Sequence, residues 1–323
     1  MSRDSRAFEG LLDGYFEGVL HAHPVFANYC GLRSGEGRLG QASPEFEASQ
    51  HRVRVKTLKS LDAINPASLS PEQHLDRLAL RSQLQRECED FDRGRHRLDP
   101  SAVDGLLSLL LHELQRSEDE PRRAADNLRS VLRQTPRYLD ESLQLLKRPE
   151  PVWARILEQT MEGLPSLFDA VRTTLGRIQP GQQDSSLIES AIRACRRYAA
   201  KALALQPAPA GSFAIGAEAL SRRVRDQLGL DLSLGEIESL ANGEAQRLGE
   251  LLLQECRRFG RNKTAEEIIV EAREQWDPGA DMLSVYRKET SRVAEAFREK
   301  EAVTFPRDET LEVRIVPEFM RHL

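Results

Sequence analysis

The sequence predicts an all-α protein, an elongated multi-helix array that ends in a single β-strand. Three observations carry this reading. Apolar residues recur at i, i+3, i+4 and i+7 through most of the chain. Aromatic residues are only 6% of the composition, and the long Leu/Ala/Glu/Arg stretches favour helix over strand. Helix-start chemistry stands at the head of several of the periodic runs.

The elements follow in order. Val103, Leu106, Leu107, Leu110, Leu111 and Leu114 form one helical stripe. A second, of about six turns, runs from Trp153 through Ile156, Leu157, Leu164, Leu167, Phe168 and Val171 to Leu175. Leu187, Ile188, Ala191, Ile192, Cys195, Tyr198 and Ala202 repeat the pattern, as do Leu248, Leu251, Leu252, Cys256 and Phe259. Ser70-Pro71-Glu72-Gln73 supplies an N-cap hydroxyl, a proline at the first helical position and a glutamine three residues after the cap. Ser233 with Glu236, and Thr264 with Glu267, are further capping boxes. Breaks are predicted at Asn65-Pro66, Asp99-Pro100, Thr135-Pro136, Arg148-Pro149-Glu150-Pro151, Gln179-Pro180-Gly181 and Gln206-Pro207-Ala208-Pro209. The outcome is about eleven or twelve helices with no fixed repeat between them. Residues 1–323 read as one helical region, with a sub-boundary near 206–212.

Two stretches depart from helix. Residues 31–42 are too glycine-rich and read as an ordered loop; Gly35-Glu-Gly37-Arg-Leu-Gly40 follows no strand, so it lacks the context of a nucleotide-binding loop. Near the end, Leu311, Val313 and Ile315 alternate with Glu312 and Arg314, which is strand periodicity over residues 311–316. A lone strand leaves its backbone groups without ladder partners. Residues 311–316 are then either a short extended tail lying on the surface, or a strand whose partner strands lie in other polypeptide, a missing C-terminal half or another copy.

Composition narrows the function. Lys+Arg at 46 against Asp+Glu at 51, intermixed, lacks the basic face of a nucleic-acid binder. The apolar runs are a handful of residues long, far short of the roughly 20 needed for a membrane span. The polar start, Met-Ser-Arg-Asp-Ser-Arg, offers no signal-peptide core, and Cys30, Cys88, Cys195 and Cys256 form no CxxC pair. A cytoplasmic protein with reduced thiols is expected.

The candidate chemistry is thin. His112-Glu113-Leu114-Gln115-Arg116 matches HExxH, the helical zinc motif, in its first two letters, but its fifth is an arginine, which has no lone pair for a cation. His21 and His23 are the only close histidine pair, with no Asp, Glu or Cys at ligand spacing. His51, His74, His96 and His322 read as isolated and solvated. Glu89-Asp90, Glu266-Glu267, Arg196-Arg197, Arg222-Arg223 and Arg257-Arg258 read as charged helix surface. No residue is assigned a catalytic, cofactor-binding or metal-binding role.

Taken in order, several segments resemble the N-terminal half of the bacterial domain-of-unknown-function 885 family. These are Phe8-Glu-Gly-Leu-Leu-Asp-Gly-Tyr-Phe16 followed by His23-Pro24-Val-Phe-Ala27-Asn-Tyr-Cys-Gly31, then Ile64-Asn-Pro66 through Leu69-Ser70-Pro71-Glu-Gln73, then Leu234-Gly-Glu236-Ile237, and the strand-like residues 313–317. The resemblance implies a mostly helical fold similar to gluzincin-type zinc peptidases, with a cleft between helical walls. It implies that the HExxH helix and zinc of complete members lie beyond the strand where this chain stops, so no ligand carries over. Two functions are then expected. One is the substrate-cleft half of a zinc-dependent hydrolase, inactive alone; the other is a non-enzymatic helical scaffold. Either would take a peptide along residues 311–316.

Overall fold

A computed structural model describes residues 2–260, 263–277, 279, 281–306 and 311–315. Among these residues there are twelve α-helices and no strand. They fall into two compact units, residues 1–231 and 232–323.

The first unit holds nine helices: α1 (Arg3–Ala22), α2 (Pro24–Tyr29), α3 (Pro44–Asp62), α4 (Pro71–Asp92), α5 (Ala102–Arg116), α6 (Pro121–Leu145), α7 (Pro151–Ile178), α8 (Asp184–Leu203) and α9 (Ala217–Leu228). Their starts are chemically marked. Ser2 caps α1 through the Ser5 amide and Ser43 caps α3 through the Phe46 amide. The predicted box at α4 closes both ways: Gln73 N donates to Ser70 Oγ and Ser70 N donates to Gln73 Oε1, each at 3.2 Å.

Two cores organise this unit. Phe8, Tyr15, Leu61, Ile64, Leu80 and Leu84 lock α1, α3 and α4 together. The larger core brings three predicted stripes together with a face of α6 that the sequence reading did not single out: Val103, Leu106 and Leu110 of α5, Leu164, Phe168 and Val171 of α7, and Ile188, Ala191 and Cys195 of α8 are all buried, as are Leu128 and Leu132 of α6. Burial of a side chain of this size is worth about 1.5–3 kcal/mol, so these stripes hold the bundle.

Five of the predicted breaks fall between helices, but Thr135-Pro136 does not: α6 runs through Pro136. A proline inside a helix costs about 3 kcal/mol. Here it is offset by a continuous buried face from Ala124 to Ser142, and the fully buried Thr135 hydroxyl donates to the Val131 carbonyl at 2.9 Å. Pro165 likewise sits inside α7. The sub-boundary expected near 206–212 lies in the α8–α9 loop, within the first unit. There Ala208 N donates to Pro149 O, and Gly211 N donates to the buried carboxylate of Glu150, each at 3.0 Å. The other Glu150 oxygen caps α7 through the Val152 amide at 2.7 Å.

The second unit contains α10 (Leu234–Phe259), α11 (Ala265–Gln275) and α12 (Met282–Glu299). The predicted capping boxes at Ser233 and Thr264 are both formed. The helix expected from Leu248 to Phe259 is present, but its stripe is not buried. Among the described residues of this unit only Cys256 is buried, while Leu252, Phe259, Trp276 and Tyr286 are each more than half exposed.

The predicted C-terminal strand is a correction. Residues 311–315 form no ladder, and Leu311 and Ile315 are 74% and 66% exposed. A strand needs a neighbour for its backbone groups, and the Val313 carbonyl instead accepts from Arg287 Nε at 3.2 Å. Val316 and His322 lie outside the described residues.

Candidate functional site

The near-HExxH segment is a structural ion network on α5. Residues four apart share a helix face, so His112 and Arg116 meet: Arg116 Nη2 lies 3.1 Å from His112 Nε2. A guanidinium only donates, so this contact requires a neutral imidazole with Nε2 as acceptor. Burial, and then the Arg116 charge, hold the His112 pKa below the usual histidine range. Glu113 is fully buried. Arg116 Nη1 reaches both its oxygens at 2.9 and 3.1 Å, and Asn127 Nδ2 donates to Oε2 at 3.0 Å. Glu36 closes the group, 3.5 Å from Arg116 and 2.6 Å from Arg123. The arginine that breaks the zinc motif is therefore the partner of the motif's own glutamate.

The glycine-rich loop is a strap on α6. Gln134 Nε2 donates to Gly37 O at 2.8 Å, Arg137 Nη2 to Gly40 O at 2.6 Å, and Ala42 N donates to Glu141 Oε2 at 3.0 Å.

A second concentration of ionisable groups sits where α1, α3 and α4 meet, and it is the better candidate for chemistry. Arg54 Nε donates to Glu87 Oε2 at 2.8 Å with both side chains mostly buried. Around this pair the pKa values shift together, as they do at functional sites. Burial, and then the Glu87 charge, push the Tyr15 hydroxyl up to about 12. Burial holds His23 down and Glu47 up, with Arg54 pulling Glu47 partly back. Beside them the rings of His51 and His96 stack on the two faces of Phe91, with centroids 4.2 and 4.7 Å away. Burial, and then the charges of Arg97 and His51, hold the His96 pKa below the usual range. A cleft of about 250 Å³ opens between Glu47, Arg54, Glu87 and His96. The arrangement keeps a proton on Glu47 where surface carboxyls have lost theirs, and keeps His96 neutral where surface histidines are charged.

This gives a stability prediction. A carboxyl whose folded pKa is raised adds stability below its unfolded pKa and loses it as pH rises through the folded value. Glu47→Gln should therefore raise the melting temperature at pH 7, and the gain should vanish under acid conditions where Glu47 itself is protonated. An unchanged or lower melting temperature at pH 7 would mean that Glu47 is well solvated.

The other candidates separate. His21 is exposed at the end of α1 while His23 is half-buried against Phe46, so the pair shares no site. His51 and His96, expected to be solvated, are half-buried in the Phe91 stack. The surface pairs Glu89-Asp90 and Arg222-Arg223 come together between α4 and α9, with Arg222 2.7 Å from Glu89 and Arg223 2.6 Å from Asp90. All four cysteines are free, Cys195 and Cys256 buried. The Arg54–Glu87 centre escapes sequence reasoning because its members are 33 residues apart in the chain and no local spacing links them.

Fold and site together define an all-α protein whose ionisable groups are paired between helices. Among the described residues no three His, Cys, Asp or Glu side chains stand where one metal ion could be held. Among them, too, no helix is long and apolar enough to cross a membrane. The chain belongs to the family described as "Bacterial protein of unknown function (DUF885)", whose profile matches residues 24–323, nearly the whole chain. No curated protein matches the sequence. Among solved structures, one from Shewanella oneidensis described as "a putative lipoprotein of unknown function" is similar with a TM-score of 0.68 at 14% identity, covering 98% of this chain. This chain spans 61% of that protein's length. At that identity the likeness is one of fold.

Proposed function

We propose that this chain is the helical, substrate-cleft part of a zinc-peptidase-like hydrolase, and that hydrolysis needs polypeptide other than this chain. The observation that supports it is the apolar surface of α10–α12. Leu252, Phe259, Trp276, Tyr286 and Phe297 are each at least 44% exposed, and exposed apolar surface on that scale marks an interaction face. A greater length in the similar Shewanella oneidensis protein, of which this chain spans 61%, is in keeping with further polypeptide covering that face. In this reading zinc belongs to the complete hydrolase, and the chain contributes cleft walls and no metal ligand. The test is a peptidase assay on the purified chain with added zinc, with and without chelator. No hydrolysis is expected, and chelator-sensitive hydrolysis by this chain alone would overturn the proposal.

A second reading, a non-enzymatic scaffold holding a peptide along residues 311–316, draws on Leu311 and Ile315. Both are exposed beside backbone that joins no ladder among the described residues, and such backbone can accept a peptide as an added strand. Saturable peptide binding without hydrolysis, lost on deleting residues 311–323, would favour it. A cytoplasmic location accompanies both readings, resting on the four free thiols.

A further inference from the structure

The wall between α4 and α9 carries a feature that neither reading uses. Two adjoining hollows of about 180 and 590 Å³ share Ser82, Arg86, Asp226 and Gln227 in their linings. Ser82 is only 8% exposed, and its hydroxyl oxygen is buried with no hydrogen-bond partner. A helical serine usually satisfies its hydroxyl on the carbonyl four residues back; here that bond is not made. Arg86 lies one turn further on the same face.

The other arginines around the hollows are each paired: Arg222 is 2.7 Å from Glu89, Arg223 is 2.6 Å from Asp90, and Arg225 is 3.4 Å from Asp226. Arg86 alone among these cations has no hydrogen bond or ion pair with any described residue. Arg86, a half-buried residue, and the buried, unused Ser82 hydroxyl line the same hollows, and together they are a donor set without an acceptor among the described residues. The mouth of the larger hollow is apolar, with Leu75, Leu78 and Leu228 45–66% exposed.

We propose that this cleft binds a carboxylate joined to an apolar group, with the carboxylate on the Arg86 guanidinium and the Ser82 hydroxyl and the apolar part along Leu75, Leu78 and Leu228. A single uncompensated cation with Asp226 close by suits a monoanion better than a phosphate dianion. The same chemistry is offered by the C-terminal residue of an apolar peptide and by a short fatty acid. All of these residues lie in the first unit, so the inference does not depend on the hydrolase reading.

The test is calorimetric titration of the full chain with octanoate and with N-acetyl-Leu-Leu bearing a free carboxylate, against octanol and the corresponding peptide amide. Saturable binding of at least one carboxylate is expected, about tenfold or more tighter than its neutral counterpart, the effect of a hydrogen-bonded charge. The carboxylate that binds more tightly identifies the source. Arg86→Gln should weaken binding by about tenfold or more, and Ser82→Ala by a smaller factor. Arg86→Gln loses no partner among the described residues and should melt as the parent does, while Ser82→Ala removes a buried hydroxyl without a partner and should melt no lower than the parent. Absence of saturable binding by either carboxylate, equal affinity for the neutral compounds, or undiminished binding in both variants would overturn the proposal.

Discussion

Replacing Arg116 with alanine should cost about 3–5 kcal/mol of stability at neutral pH, the cost of leaving a buried charge without its partner. The charge in question is the fully buried carboxylate of Glu113. Arg116 supplies two of its hydrogen bonds, at 2.9 and 3.1 Å, and Asn127 supplies a third. Even with these partners burial holds the Glu113 pKa above the usual carboxylate range, and without the guanidinium the pKa must rise further. The sign of the pH dependence follows. A raised folded pKa means stability that is present in acid and lost as pH rises through that value. The Arg116→Ala defect should therefore shrink on acidification, and Glu113→Gln in the same background should recover part of it at pH 7. Urea unfolding of the four variants in the cycle, followed by circular dichroism at neutral and acid pH, checks both. A loss below about 1 kcal/mol that ignores pH would be the size of an exposed ion pair, and would sink the buried-charge account.

The second large effect is steric. A methyl group at Gly35 would stand 2.2 Å from the Pro24 carbonyl oxygen and 2.4 Å from the Asn28 amide nitrogen, both backbone atoms of α2, and 2.9 Å from Ala27 Cβ. Backbone cannot rotate away as a flexible side chain can, so Gly35→Ala must push the loop off α2, at a cost of about 3 kcal/mol. Gly10 is the control. It is exposed in the middle of α1 with nothing within 4 Å of a Cβ, so Gly10→Ala should stabilise by about 0.5–1 kcal/mol through helix propensity alone. If the two substitutions unfold alike in urea, the close approach at Gly35 is not rigid.

These two residues also mark how far the sequence could be read. Gly35 stands in a stretch legible as an ordered loop, and the reason it must be glycine is a contact with residues seven to eleven positions away that no periodicity encodes. Arg116 was legible as the letter that breaks HExxH. Its role as the partner of Glu113 required knowing that the α5 face carrying both packs inward against Asn127 and Glu36. The Arg54–Glu87 centre, and the meeting of Glu89-Asp90 with Arg222-Arg223, were visible only as scattered charges, because charge patterning within one helix does not say which helix lies opposite.

The sequence by itself determined that the chain is helical, where most helices begin and end, and which stripes of the first unit are buried. Those outcomes depend on interactions within a turn or two: capping hydroxyls, prolines at the first helical position, and apolar residues at a period of 3.6. Tertiary structure alone decided the rest. It carried α6 through Pro136, because a buried face outweighs one missing hydrogen bond. It left the apolar stripe of α10 uncovered, because periodicity marks a face suited to burial without supplying the surface that buries it. It withheld the strand at residues 311–315, because strand periodicity is a local property while a ladder needs a second chain segment alongside.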